Sequence, residues 1–324
     1  MKEALYYTAE GKYLHCTLCP HNCRLSEGQK GVCGVRQNIG GKLFALSYNR
    51  VTAYNYDPIE KKPLFHFKPG QMIFSFGSYG CNLGCDFCQN WELISTHDNF
   101  VEVSSEDIVS LAGSKGSIGI AYTYNEPVVS FESVLETAKL AKERGLANVL
   151  VTNGYINQEP LEELLPYIDA MNIDLKSMTD EFYQSICKGT LTPVLKTIAT
   201  AAAKTHIEVT TLVIEGRNSS FGEMEELTEF LSGISKDIPL HLSRYHPSHR
   251  MTDPPTSPGT LNSLREIAKK RMNYVYIGNV YGVNNDTRCP YCESLLIDRS
   301  PYGKVVGIVD GHCKECGEKV PFVQ

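Results

Sequence analysis

The residues with the clearest potential for chemistry are the cysteines, because eleven of the twelve fall into three groups. Grouping of this kind is typical of metal ligands, whereas scattered pairs would suggest disulfides. Only Cys187 stands alone. The first set is Cys16, Cys19, Cys23 and Cys33, the second is Cys81, Cys85 and Cys88, and the third is Cys289, Cys292, Cys313 and Cys316.

The second set has the spacing C-x3-C-x2-C and offers three thiolates where a closed site needs four. Three thiolates can hold three corners of a cubic [4Fe–4S] cluster and leave the fourth iron open. An open coordination position is what a catalytic metal centre requires. Gly80 and Gly84 leave the loop free to wrap closely around such a cluster. The alternative is a structural zinc or cluster site completed by a distant ligand such as His97.

The two flanking sets each have four cysteines, which suits a closed structural site. The third set, CPYC and CKEC with 20 residues between Cys292 and Cys313, predicts a zinc ribbon, with a single iron as the alternative. The first set could hold zinc or a second iron–sulfur cluster. Zinc is favoured there because C-x2-C with a distant pair is its commoner use, and His21 is a possible substitute ligand.

Seven short runs rich in Val, Ile and Tyr predict strands, and amphipathic helical patterns lie between them. This alternation predicts an α/β fold with a parallel sheet, either a barrel or an open sheet. The runs are 72–76, 118–124, 148–153, 170–175, 207–214, 239–245 and 274–280.

Polar groups follow the ends of these strands, at the edge where parallel α/β sheets carry their active sites. We therefore expect a partial (β/α)6 barrel over 72–285. It would be preceded by a cysteine-rich, metal-held module with an extended linker over 1–71, and followed by a zinc-ribbon-like module over 286–324.

Several motifs resemble those of the radical S-adenosylmethionine (SAM) superfamily. The cysteine loop carries an aromatic residue, Phe87, before its last cysteine, and YNEP, TNGY, DLKSMTDEFY and YH are similar to motifs of the glycyl-radical-enzyme activases, such as pyruvate formate-lyase activating enzyme. The segments CTLCPHNCRLSEGQKGVCGVR and DPIEKKPLFHFKPG resemble the AmmeMemoRadiSam-system radical SAM enzymes, relatives of the activases found with AMMECR1- and Memo-type proteins.

The resemblance implies reductive cleavage of SAM at a [4Fe–4S] cluster and a 5′-deoxyadenosyl radical that abstracts hydrogen from a substrate. It implies a protein or peptide substrate, possible installation of a glycyl radical, and an electron donor such as flavodoxin or ferredoxin. Radical modification of a small metabolite or RNA is one alternative. A non-catalytic iron–sulfur carrier or metal-held scaffold is another.

The resemblance also assigns residues to the site, although two positions depart from the activase pattern: Tyr124-Asn125 replaces two glycines, and Val151 stands where an aspartate is frequent. Asn125 and Glu126 are expected at the SAM amino group, and Asp174 and Lys176 at the SAM carboxylate, the ribose or the substrate. Asn153 and His246 are further expected SAM contacts, and Cys187 is a candidate for radical or thiol chemistry.

The composition is that of an ordinary globular protein, with 42% hydrophobic and 21% charged residues. The net charge of -6 argues against a general nucleic-acid or anionic-membrane binder. The sequence shows no secretory signal and no apolar run long enough to span a membrane, so we expect a soluble, cytoplasmic protein.

Overall fold

A computed structural model describes residues 1–95, 98–114, 116–300 and 302–323. Its centre is an eight-stranded sheet in which the strands lie side by side in chain order. The last seven strands are parallel, and the first pairs antiparallel with the second. The strands are β1 Ala53–Pro58, β2 Met72–Gly77, β3 Gly119–Tyr122, β4 Ala147–Thr152, β5 Ala170–Asp174, β6 His206–Val213, β7 Leu240–Arg244 and β8 Val275–Gly278.

Helical segments fill the six connections between the parallel strands, as expected for this class. In α3 the apolar stripe predicted from the sequence is buried, including Phe131, Val134 and Ala138. The helices are α1 Trp91–Ser95, α2 Ser105–Gly113, α3 Phe131–Glu143, α4 Gln158–Leu164, α5 Asp180–Phe182, α6 Leu191–Ala202, α7 Phe221–Ile234 and α8 Pro258–Ala268. Short 3-10 segments span Ile59–Lys61, Pro127–Ser130 and Leu165–Tyr167, and one π-helical turn spans Tyr183–Cys187.

Serine side chains begin three of these helices by accepting a hydrogen bond from a backbone N–H of the first turn. Ser104, Ser220 and Ser257 cap α2, α7 and α8 in this way. The spacing of Ser104 and Asp107 in the sequence predicts the first of these caps, and the Asp107 N–H donates to Ser104 Oγ at 3.1 Å. Local sequence therefore determines where these helices begin.

The N-terminal residues form two small three-stranded sheets that pack beside α3. A buried ion pair connects them to the central domain, because Arg36 Nη1 donates to Glu132 Oε1 at 3.0 Å and both side chains are 2% exposed. The strands of the first sheet are Tyr7–Glu10, Tyr13–Cys16 and Arg24–Leu25, and those of the second are Lys2–Glu3, Arg36–Ile39 and Lys42–Ala45. Arg50–Val51 pairs separately with Val101–Glu102.

Part of the segment that the sequence predicts to be an extended linker forms strand β1, which is hydrogen-bonded along β2. Beyond it, residues 65 and 66 run beneath the sheet. The backbone N–H groups of Phe65 and His66 donate to Glu208 at 2.9 and 2.7 Å. Burial of this segment explains why its sequence is rich in aromatic residues.

The C-terminal residues form a small unit with its own buried cluster of apolar residues around Leu296 and Ile297. It is attached to the segment beneath the sheet, because the Lys68 N–H donates to Val323 O at 2.7 Å and the Val323 N–H donates to His66 O at 2.9 Å. Its strands are Thr287–Arg288, Leu295–Asp298, Lys304–Val305, Ile308–Val309 and His312–Cys313.

The α/β fold class predicted from the sequence is confirmed: a partial parallel sheet with a cysteine cluster near the C-terminus. Among the residues that the structure describes, no helix has the length and apolar character needed to cross a membrane.

Candidate active site

The loop that carries Cys81, Cys85 and Cys88 follows β2 directly, at the carboxyl edge of the sheet. Close packing holds its first part, since a Cβ on Gly80, whose φ is +84°, would lie 2.5 Å from Val35. Its second part is hydrogen-bonded to the π-helical turn: the Gly84 N–H donates to Cys187 O at 2.9 Å and the Asp86 N–H donates to Ile186 O at 3.1 Å. Both ends of the loop are therefore held by other parts of the chain.

The loop forms one wall of a cavity of about 310 Å³. The other walls come from the carboxyl halves of the strands, as expected for a parallel α/β enzyme. The three cysteines line the cavity together with residues in the carboxyl halves of β4 to β7 and residues that follow β3, β4, β5 and β8. Those residues include Tyr124, Asn125, Glu126, Thr152, Asn153, Asp174, Lys176, Thr210, Leu212, Ser243 and Asn279.

Glu126 is a buried carboxylate on this cavity. Thr152 Oγ1 donates to it at 2.8 Å and the Asn153 N–H donates at 2.7 Å. It also caps the short helix that follows, because the Val128 N–H donates to Oε1 at 3.1 Å. Burial raises the pKa of Glu126 to about 7 in spite of these donors. A cationic ligand group would compensate for the buried charge.

Asn125 lies beside the cavity, but its side-chain amide is hydrogen-bonded to the backbone of the cysteine loop. Its Oδ1 accepts from the Ser78 N–H at 2.9 Å, and its Nδ2 donates to Gly80 O at 3.0 Å and to Tyr79 O at 3.2 Å. Tyr124 before it has a φ of +71°, a conformation that glycine adopts more easily. Asn125 therefore holds the loop in place, and the SAM contact expected of it stays a prediction.

Asn153 connects β4 with the cysteine loop. Its Nδ2 donates to Asn82 Oδ1 at 2.9 Å and lies 3.7 Å from Cys81 Sγ. Its Oδ1 accepts from the Tyr155 N–H at 2.8 Å. The residue thus lies close to one of the three sulfurs and lines the cavity, where the sequence places it.

Asp174 and Lys176 lie together at the end of β5, with Lys176 Nζ 3.0 Å from Asp174 Oδ2. Leu175 points into the core, as strand alternation predicts. Although burial opposes it, the charges of Asp174 and the neighbouring sulfurs hold the pKa of Lys176 well above its ordinary value. The cavity therefore contains a fixed ammonium group beside the cysteine loop.

Cys187 is fully buried, at the end of the π-helical turn. Its thiol hydrogen-bonds with Cys85, which lowers the pKa of Cys85 and raises the pKa of Cys187. It does not line the cavity. Its position supports the cysteine loop from behind, so a direct role in radical chemistry remains a prediction.

His246 is the one expected SAM contact that the structure leaves outside the cavity, because its side chain is exposed and absent from the cavity wall. The chain turns outward after β7, and Ser243 of that strand lines the cavity instead. No sequence motif identifies Thr210, Ser243 and Asn279 as site residues. Their positions near strand ends are the one signal that could have indicated them. His97, the suggested fourth ligand, lies outside the described residues.

The C-terminal cysteines are arranged for a single ion. Cys289 and Cys316 have their sulfurs 3.7 Å apart, and so have Cys292 and Cys313. A tetrahedral ion with metal–sulfur bonds of about 2.3 Å requires sulfurs about 3.8 Å apart. In the part of the chain that is described, no other group of three or more such ligands gathers within 4.8 Å. The sulfurs of the first and second sets are therefore spread more widely.

The second set and its cavity fit a cluster that binds SAM. Three thiols share one cavity wall, and the buried Glu126 carboxylate and the Lys176 ammonium offer opposite charges to an amino acid group. Cys81, Cys85 and Cys88 would hold the iron atoms, and Glu126 would face a cationic amine. The widely spread sulfurs suit a polynuclear cluster better than a single ion.

Comparisons with known proteins agree with this geometry. Residues 76–231 match the family model of the radical SAM superfamily. The chain is 40% identical to an uncharacterized protein of Methanocaldococcus jannaschii over 335 aligned positions, covering 100% of both. It is 26% identical to the pyruvate formate-lyase 1-activating enzyme of Escherichia coli K12 over 188 residues, which covers 55% of this chain and 75% of that protein.

A similar fold occurs in the crystal structure of Streptococcus suis SuiB bound to the precursor peptide SuiA, with a TM-score of 0.52 and 14% identity. The match covers 69% of this chain and 52% of that one. At this identity the likeness concerns the fold alone. Together with the family match and the cysteine loop at the cavity, these findings show that the chain belongs to the radical SAM superfamily and is a radical SAM enzyme related to the activating enzymes.

Proposed function

We propose that the protein cleaves SAM reductively and uses the resulting 5′-deoxyadenosyl radical to abstract hydrogen from a protein or peptide. The observation that carries the proposal is the shared cavity of Cys81, Cys85, Cys88, Glu126 and Lys176. Cys81, Cys85 and Cys88 would hold a [4Fe–4S] cluster, which would supply the one-electron reduction of the SAM sulfonium.

The chain's own residues would bind and orient the nucleotide. The Glu126 carboxylate, held by Thr152 and Asn153, would pair with the SAM ammonium. The Lys176 ammonium, kept in place by Asp174, would pair with the SAM carboxylate. The strand ends would exclude water from the reacting centre, which protects a radical from quenching.

The activity is tested by reconstituting the protein with iron and sulfide under anaerobic conditions, adding dithionite and SAM, and measuring 5′-deoxyadenosine. We expect release by the unmodified protein and none by Cys85→Ala, which lacks one corner ligand. Cys316→Ser is the matched control, because it removes a cysteine outside the cavity and should retain release. A reduced cluster without any 5′-deoxyadenosine would favour an electron carrier instead.

A protein substrate is supported by the sequence relationship to activating enzymes, whose names describe action on other enzymes. We include AMMECR1- and Memo-type proteins among the candidate partners, and flavodoxin or ferredoxin as the electron donor. A deuterated candidate protein should transfer deuterium to 5′-deoxyadenosine, which mass spectrometry detects. Transfer from deuterated metabolites or RNA, with none from proteins, would contradict the proposed substrate class.

A further inference from the structure

The first cysteine set lies directly against the catalytic loop. His21 Nε2 donates to Asn82 O at 2.7 Å, and Asn82 follows Cys81. Cys33 O lies 2.8 Å from the position that a Cβ on Gly80 would take, and Gly80 precedes Cys81. One peptide step adds about 3.8 Å between Cα atoms, so Cys33 and Cys81 are neighbours in space.

The module also contacts the segment that follows β4. The Asn157 N–H donates to Leu18 O at 3.1 Å, and Asn157 Nδ2 donates to Thr17 O at 2.7 Å. Thr17 and Leu18 lie between Cys16 and Cys19. Residues within or beside the first cysteine set therefore bind both the catalytic loop and the segment after β4.

Among the described residues, only the C-terminal cysteines bring three or more ligand atoms within 4.8 Å of one another. A single tetrahedral ion requires that closeness, whereas an iron–sulfur cluster separates its ligands around several irons. The first set, like the catalytic loop, therefore lacks the closeness that a single ion requires.

The first set also reaches the surface of the protein. Cys23 and Cys33 are half-buried, and Val32 beside Cys33 is 60% exposed. A group held by these cysteines would lie between solvent and the catalytic loop. That position suits a centre that accepts electrons from outside and passes them inward.

We infer that Cys16, Cys19, Cys23 and Cys33 hold an iron–sulfur cluster through which electrons enter the catalytic site. This inference concerns electron supply and builds on the proposed SAM cleavage. A low-potential one-electron donor protein would reduce this cluster and itself be oxidised by one electron. The cluster would then pass that electron to the catalytic cluster and return to its oxidised state, with no net change in the relay.

The first test is the metal content of anaerobically prepared protein. We expect six to eight irons and one zinc for each chain, and iron that persists when Cys81, Cys85 and Cys88 are all changed to Ala. Mössbauer and electron paramagnetic resonance spectra of that variant should show a cluster. The absence of iron from the variant, with two zincs bound, would overturn the inference.

The second test separates electron entry from chemistry. Cys16→Ala combined with Cys19→Ala should release 5′-deoxyadenosine with dithionite, yet lose at least tenfold in rate with reduced flavodoxin. The dithionite-driven release itself reports that the catalytic site of the variant is folded. His21→Ala keeps every cysteine, and its flavodoxin-driven rate should fall more than its dithionite-driven rate. If the flavodoxin-driven rate of these variants falls no further below that of the unmodified protein than the dithionite-driven rate does, the relay is contradicted.

The two proposals fail in different ways. If unmodified protein releases no 5′-deoxyadenosine with dithionite, the proposed SAM cleavage is wrong. The iron content of the variant lacking Cys81, Cys85 and Cys88 still decides whether the first set holds a cluster.

Discussion

At the scale of single residues, Glu126 combines two tasks. It caps the helix that begins at Pro127, and its carboxylate faces the cavity. Three donors hold this carboxylate, yet burial dominates its pKa. An acid buried in this way binds a cation most strongly when it is ionised.

We predict that SAM affinity increases as the pH rises through about 7, because the Glu126 carboxylate then loses its proton. Equilibrium binding of SAM to reconstituted protein at pH 6 and pH 8 measures this change. Glu126→Gln should bind more weakly and show a flatter dependence over the same range. An equally steep dependence in Glu126→Gln would assign the titration to another group.

Asn125 offers a second prediction at this scale, since its amide makes four hydrogen bonds in the buried loop. Asn125→Ala should lower the free energy of unfolding by roughly 1–3 kcal/mol, because it leaves buried backbone groups without partners. Asn262→Ala, on the exposed face of α8, should change it by less than about 0.5 kcal/mol. Urea unfolding compares them, and similar values for both would contradict the bracing role of Asn125.

At the scale of elements, the parallel strands form the cavity walls. The end of β2 and the turn after β3 come close together beside the cysteine loop. A Cβ on Gly77 would lie 2.3 Å from Thr123 O, while a Cβ on Gly113 at the end of α2 would meet nothing within 4 Å. Gly77 therefore permits a backbone contact beside the cysteine loop.

Gly77→Ala should destabilise the protein by roughly 1–3 kcal/mol, because backbone must move to admit the methyl group. It should also reduce the iron retained by the catalytic loop. Gly113→Ala should be neutral or slightly stabilising, since alanine favours a helix. Thermal unfolding and iron analysis of both variants test this, and unchanged stability in Gly77→Ala would show that the contact is not restrictive.

At the scale of the whole molecule, a buried polar network connects the central sheet, the segment beneath it and the C-terminal unit. Glu208 accepts from His241 Nε2 at 2.7 Å and from the His66 N–H. His66 Nε2 lies 2.7 Å from Tyr276 Oη, and its ring stacks on Phe322. The network thus joins three regions that the sequence presents separately.

His66 should make the protein less stable in mild acid, because burial lowers the pKa of its imidazole well below the usual 6.5. Above pH 6.5 the imidazole is neutral in both the folded and the unfolded protein, so its titration does not affect stability. As the pH falls below 6.5, the unfolded protein binds the proton more readily than the folded protein, and stability decreases by up to about 1.4 kcal/mol per pH unit. Urea unfolding at pH 7 and 5.5 should show a smaller decrease in His66→Phe than in the unmodified protein, and equal decreases would contradict this account.

The sequence by itself determined the three cysteine sets, the seven parallel strands and the cap at Ser104, because these depend on spacing and on local periodicity. The resemblance of its motifs also indicated the superfamily. Glu126, Asn153, Asp174 and Lys176 could also be placed near one edge, since parallel strands bring their carboxyl ends together.

The tertiary structure decided what depends on contacts between distant segments. It turned the Asn125 amide toward the loop, took His246 out of the cavity, and brought Thr210, Ser243 and Asn279 into its wall. It also brought the first cysteine set against residues 80–82, through a hydrogen bond that joins positions 61 residues apart and a close backbone approach at Gly80. Such contacts depend on the packing of whole elements, which no local pattern in the sequence records.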